Sequence, residues 1–163
     1  DVYKRQLLIL LSAAPERLLS TIRSRCQLIR FLRLTQADLN RVLEGCGALD
    51  QDPPELLAMA AGSPGALLEH RRQRAGLPEE LTGRLASMPD QPMEALALAR
   101  DVCEALDGEQ QLWLINWWQQ QLWARGAGDR PLQRLETLRR QLLSFVQPRL
   151  AWEVALLELT TGG

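Results

Sequence analysis

Long apolar runs are missing from this sequence. The longest, Leu7 to Leu11, falls far short of the ~20 residues needed to span a bilayer. No stretch has the basic, apolar and small-residue order of a cleavable signal peptide. The expectation is therefore a cytoplasmic protein without membrane contact. Histidine is almost absent as well: His70 stands alone, with no cysteine or second histidine at ligand spacing, so no metal site is indicated. It reads as a solvated residue near a helix end, with no role. Three cysteines, Cys26, Cys46 and Cys103, are odd in number and widely spaced, which suits reduced, partly buried thiols better than a disulfide framework. Nor is there an excess of one charge. Nineteen basic residues against twenty acidic ones leave a net charge of -1, unlike a protein that holds nucleic acid alone by neutralising phosphates. Arg71, Arg72 and Arg74 form a local basic cluster, which reads as a solvated helix face, with DNA contact as the alternative.

Several catalytic patterns are missing too. There is no Gly-x-x-x-x-Gly-Lys-Ser/Thr loop to cradle ATP phosphates, no nucleophile elbow and no paired-carboxylate constellation. Acidic residues such as Glu79, Glu80, Asp101 and Glu104 fall on helix starts or polar faces, where solvation and the helix dipole account for them.

What is present is ample core material: 46% of the residues are hydrophobic and 24% charged, a globular composition. A length of 163 residues admits one ordinary domain or two to three small ones. The chain does not open with methionine and its first apolar run has no strand partner upstream, so a fragment of a longer protein is expected. Residues 1–6 resemble translated sequencing-adapter sequence and are left out of the fold reading.

Leu7 to Leu11 is a continuous apolar run of strand length, the pattern of a strand covered on both faces. Pro15 then suits a first helical turn, and Leu18, Leu19 and Ile22 share one face of a helix ending near Cys26. Gln27 to Leu32 alternates, with β-favouring Ile29 and Phe31, and reads as a second strand. From Thr35 the pattern is helical only. Thr35 and Asp38 make a capping-box-like start, followed by an apolar stripe of Leu39, Val42, Leu43 and Cys46 that Gly45 and Gly47 end. A second helix starts at Pro53-Pro54 with Leu56, Leu57 and Ala60 inward. A third takes Ser63 as N-cap and Pro64 in its first turn, with Leu67 and Leu68 packing.

Five further helices, each punctuated by proline or glycine, are expected at 78–88, 92–106, 109–125, 131–146 and 148–159. Their stripes are Leu81, Leu85 and Met88; Leu96, Ala99, Cys103 and Leu106; Leu135, Leu138 and Leu142; and Leu150, Val154 and Leu157. The third of the five, with Trp113, Trp117, Trp118 and Trp123, is apolar around most of its circumference and is expected at the centre of a bundle, with an oligomer contact as the alternative.

The most informative stretch is Thr21-Ile22-Arg23-Ser24-Arg25-Cys26, set between helix and strand. Its Ser-Arg-Cys triplet resembles the signature of the clamp-loader AAA+ subunits of bacterial DNA polymerase III. Gly62-Ser63-Pro64-Gly65-Ala66-Leu67 is similar to the element opening the last lid helix of that family. The resemblance implies a mainly α chain: residues 1–33 a remnant of an α/β AAA+ core with two strands and a helix, 34–75 a three-helix lid, and 76–163 a five-helix collar that oligomerises.

It further implies that Arg25 is an arginine finger acting in trans on ATP held by a neighbouring subunit, supported by Ser24 and Cys26, and that Ser12 lies at the sensor-1 position. A turn or N-cap role for Ser12 is the competing reading. For Arg25 the competing reading is an exposed residue favourable to a helix C-terminus. The sensor-2 arginine of the ATP-hydrolysing subunits is replaced by Gly65, with Arg71 and Arg72 about two turns further on.

That departure is similar to the delta-prime type, which implies no intrinsic ATPase and no nucleotide bound by this chain. The implied partners are the gamma/tau and delta subunits through the collar, and the sliding clamp and primer-template DNA through the holoenzyme complex. Two alternatives stand beside it: an ATP-hydrolysing gamma/tau-type subunit, and an unrelated helical adaptor.

Overall fold

The computed structural model describes residues 7–144 and 146–161; the six opening residues lie outside them. Among the described residues there are nine α-helices and one 3-10 turn, and no strand. The chain divides between Leu32 and Arg33 into two units.

In the first unit Pro15–Arg17 forms a 3-10 turn and Ser20–Arg23 a single helical turn, α1. The helix expected from Pro15 to Cys26 is thus interrupted, because Leu18 and Leu19 take extended ψ values of 145° and 136°. Both expected strands need correction. Residues 7–11 and 27–32 carry no ladder, and their apolar side chains are exposed, Leu11 and Phe31 at 90%. A strand is held by hydrogen bonds to its neighbours, and two short segments with no covered face do not sustain a sheet of their own. For the same reason Leu19 and Ile22 remain exposed, since this unit offers no surface against which their helix face packs.

The second unit holds eight helices: α2 (Gln36–Gly45), α3 (Pro54–Ala60), α4 (Pro64–Ala75), α5 (Glu79–Ser87), α6 (Pro92–Ala105), α7 (Gly108–Ala124), α8 (Asp129–Leu143) and α9 (Pro148–Thr161). All eight expected helices form, with ends shifted by a few residues. The starts follow the expected chemistry. Thr35 Oγ1 accepts from Asp38 N at 3.2 Å and donates to the Asp38 carboxylate at 2.7 Å. Ser63 Oγ accepts from Ala66 N at 3.3 Å, with Pro64 directly following it. At α7 Asp107 and Gln110 form a reciprocal capping box, its two bonds 2.9 and 3.0 Å long, which satisfies two of the orphan donors of a helix start.

Helix α7 packs against α3, α5 and α8, while α9 packs against α6 and α8. Trp113, Trp117 and Trp118 are buried, so three of the four tryptophans of α7 serve the core as expected; Trp123 is 71% exposed. The only buried polar residue, among those described, is Gln111. Both ends of its amide are bonded: its Nε2 donates to Leu106 O and its Oε1 accepts from Trp152 Nε1, both at 2.9 Å, which ties α7 to α9.

Three readings from periodicity shift. In α6 the buried face is Ala95, Leu98, Ala99, Val102 and Leu106, leaving Leu96 and Cys103 only partly covered. In α9 it is Ala151, Trp152, Ala155 and Leu156, whereas Leu150 and Val154 are 52% and 37% exposed. Along α2, Leu39 and Leu43 are buried but Val42 and Cys46 are exposed. Of the thiols only Cys103 is partly covered, and burial pushes its pKa up. His70 is corrected as well. Its Nδ1 accepts the Trp113 indole N–H at 2.9 Å, joining α4 to α7, so it is a half-buried interhelical acceptor.

Helices α5 and α6 are joined by Arg84, whose Nη1 donates to Asp101 at 2.6 Å; Arg100 adds a bond at 3.2 Å. The Arg84 hydrogen bond, with help from Arg100, holds the Asp101 carboxyl below its ordinary pKa. Unfolding returns Asp101 to its ordinary pKa, so the unfolded chain binds the extra proton and this contribution is present at neutral pH and lost as pH falls below about 4. Because the pair is partly exposed, its contribution is at most about 1 kcal/mol. Asp101→Asn is expected to lower stability slightly at pH 7 and to flatten the acid limb of the stability curve, as measured by urea unfolding between pH 2.5 and 7.

Candidate functional site

The Ser-Arg-Cys triplet lies at the C-terminal end of α1, where Ser24 is the capping residue. Ser24 Oγ donates to Thr21 O at 3.2 Å, and Arg25 Nη1 donates to the same carbonyl at 3.1 Å. A helix end leaves such carbonyls without intrahelical partners, and a cation there is favoured by the dipole. The local sequence thus explains why an arginine rests here. Arg25 is exposed, and its described hydrogen bond uses one of the five N–H donors of a guanidinium. The rest of the planar fork is accessible to an anion. Cys26 is exposed beside it, its N–H directed to Arg23 O at 3.4 Å.

Ser12 Oγ accepts from Ala14 N at 3.1 Å, the bond of a serine that organises a turn two residues on. The described hydrogen bonds of Ser12 and of the triplet are all local, so the structure does not join Ser12 to Arg25.

The Gly-Ser-Pro-Gly element opens α4 and has a mechanical rationale. Gly62 has φ +78°, and a Cβ there would run into the backbone O and N of Leu34, the N at 2.9 Å. Leu34 N donates to Gly62 O at 3.2 Å. Two backbones therefore meet where only glycine fits. At Gly65 the surroundings are open, with nothing within 4 Å of a built Cβ.

The downstream arginines are engaged elsewhere. Arg71 makes two 2.6 Å bonds to Asp52 and one of 2.7 Å to Ala48 O. This bidentate geometry raises its already high pKa, the Asp52 hydrogen bond being the main cause. Arg72 pairs with Glu69 at 3.4 Å and Arg74 with Glu55 at 3.1 Å. The basic cluster divides: Arg71 is a partly buried tether from α4 to Asp52 and the Ala48 carbonyl in the loop before α3, whereas Arg72 and Arg74 are exposed as expected of a solvated helix face, Arg74 also reaching Glu55 of α3. Nothing in the spacing of Asp52 and Arg71 signals this pair, because it depends on how α3 turns back on α4.

Among the described residues no group of three or more His, Cys, Asp or Glu side chains is placed to hold a metal ion. No described helix is long and apolar enough to cross a membrane.

A family model described as "Cyanobacterial DNA polymerase III delta prime, C-terminal domain" matches residues 37–159, about three quarters of the chain. The matched range runs from the first turn of α2 into α9 and leaves out the triplet. No curated protein and no solved structure matches the chain.

Proposed function

From the premise that the chain belongs to the family of cyanobacterial DNA polymerase III delta-prime C-terminal domains, we propose that it is an assembly subunit of a clamp loader. In this reading α2–α4 are the lid and α5–α9 the collar through which it joins gamma/tau and delta subunits in a ring. The complex then loads the sliding clamp onto primed DNA in the cytoplasm. The family match along α2–α9 carries the reading. The apolar side chains that α9 leaves exposed, Leu150 and Val154 one turn apart, support a role in assembly.

The catalytic part of the proposal rests on Arg25. In the ring its guanidinium faces ATP bound by the neighbouring subunit and places two donors on the γ-phosphate, where negative charge spreads during hydrolysis. In-trans fingers of this kind are worth roughly 10³ to 10⁵ in rate. Lysine lacks the planar fork. Ser24 and Cys26 flank Arg25 at the end of α1, and Ser24 bonds to the same carbonyl. The chain turns over no ATP of its own: its lid helix has Gly65 in place of the sensor-2 arginine, and Arg71 is committed to Asp52.

The test uses the full-length subunit in the reconstituted clamp loader. Arg25→Ala and Arg25→Lys are expected to lower DNA-stimulated ATPase and clamp loading to a similar extent, several-fold overall because only one of the ring's ATP sites is affected, while assembly is unchanged. Wild-type turnover in both variants removes the finger assignment. An unaltered rate in Arg25→Lys alone reduces it to a point charge.

A further inference from the structure

Among the described residues one side-chain hydrogen bond joins α4 to α7: the Trp113 indole N–H donates to His70 Nδ1 at 2.9 Å. The two rings are inclined at 50°, with centroids 6.2 Å apart. Trp113 is buried, so its N–H relies on this acceptor, whereas His70 is half-buried and within reach of solvent protons. An imidazole nitrogen accepts a hydrogen bond only while it carries no proton. The bond therefore requires a neutral ring with its proton on Nε2. A doubly protonated ring sets N–H against N–H, and histidine is the side chain that makes this change just below neutral pH.

The charges around the ring offer no exchange for the lost bond. On α4 Glu69 pairs with Arg72, and Arg71 and Arg74 are held by Asp52 and Glu55. Two further helices pack on α4. Of these, α3 carries Glu55 as its one charged residue, and α2 carries the Asp38–Arg41 pair and Glu44. Along α7 the one charged residue is Glu109, a turn before Trp113. His70 makes no ion pair with any of them among the described residues.

We propose that the His70–Trp113 bond is a pH-sensitive tie between α2–α4 and α5–α9, closed while the ring is neutral and opened when it is protonated. Opening releases α4 from α7 and orphans the Trp113 N–H, a cost that falling pH imposes on the closed form. The packing of α3 on α7 keeps the eight-helix unit folded in both states.

The test follows the full chain, ¹⁵N-labelled, from about pH 7.5 to about pH 5, with Trp113→Phe assigning the indole resonance and His70, the chain's one histidine, observed through its ring protons. The Trp113 N–H is expected to shift, and to exchange with water roughly tenfold faster, in step with the titration of the ring. His70→Gln places a non-titrating amide at the same position and is expected to hold the Trp113 N–H constant over that range. Urea unfolding adds a second readout: the unfolding equilibrium constant of the wild type is expected to rise about fivefold more than that of His70→Gln between the two pH values. A Trp113 N–H unchanged down to pH 5, the same change in His70→Gln, or an equal rise in both unfolding constants overturns the proposal.

Discussion

Trp152→Ala is expected to destabilise the eight-helix unit by about 3–5 kcal/mol, the range for removing a large buried aromatic side chain. Trp152 is fully buried on α9, the helix that packs on both α6 and α8, so the hole opens where three helices meet. A polar loss adds to the cavity. Gln111 Oε1 loses the indole N–H and is left as a buried acceptor, at a cost of about 1–3 kcal/mol. Against a typical total stability of about 5–15 kcal/mol, the variant stands near the edge of unfolding, read as a large drop in the urea midpoint at unchanged slope. Trp152→Phe separates the two terms: it keeps most of the ring volume yet still orphans Gln111. Combining it with Gln111→Leu removes the orphaned acceptor but also the Gln111 donor to Leu106 O, so the two changes are expected to cost less together than the sum of each alone, because both break the same Trp152–Gln111 bond.

The second large effect is expected at Gly62. Alanine there must adopt φ +78°, which costs an L-residue about 1–2 kcal/mol, and its Cβ meets the Leu34 backbone. Relief requires the Leu34 N to Gly62 O bond to break, about 1 kcal/mol more. The sum is about 2–3 kcal/mol, with valine costing more than alanine. Urea unfolding followed by circular dichroism measures it. The adjoining Gly65→Ala, in open surroundings inside the first turn of α4, is expected to be neutral or mildly stabilising, so the contrast separates backbone geometry from a general intolerance of the motif.

How much of this was legible in the sequence varied with how far each signal is local. Helix starts were the clearest, because a cap is decided within four residues: Thr35 with Asp38, and Ser63 followed by Pro64, do what their spacing implies. The buried face was less clear where a helix is apolar nearly all round. In α9 the run Leu150, Ala151, Trp152, Val154, Ala155, Leu156 and Leu157 supports more than one stripe, and the large Trp152 ring with its Gln111 bond selected one that periodicity alone did not favour. His70 and Trp113 are 43 residues apart, and neither residue's neighbourhood announces the bond. The strands at 7–11 and 27–32 failed for a different reason: local composition marks residues that suit a sheet but does not supply the neighbours that hold one together. For the candidate site, the sequence singled out Arg25, and the structure adds that it is exposed at a helix end with most of its donors available.

Size-exclusion chromatography with light scattering, on the full-length subunit mixed with clamp-loader ATPase and delta subunits, tests the assembly role most directly. One copy of this subunit per ring is the predicted result, with co-elution weakened by Leu150→Asp/Val154→Asp on the exposed face of α9. Absence of co-elution, or several copies per ring, would contradict the delta-prime-type role.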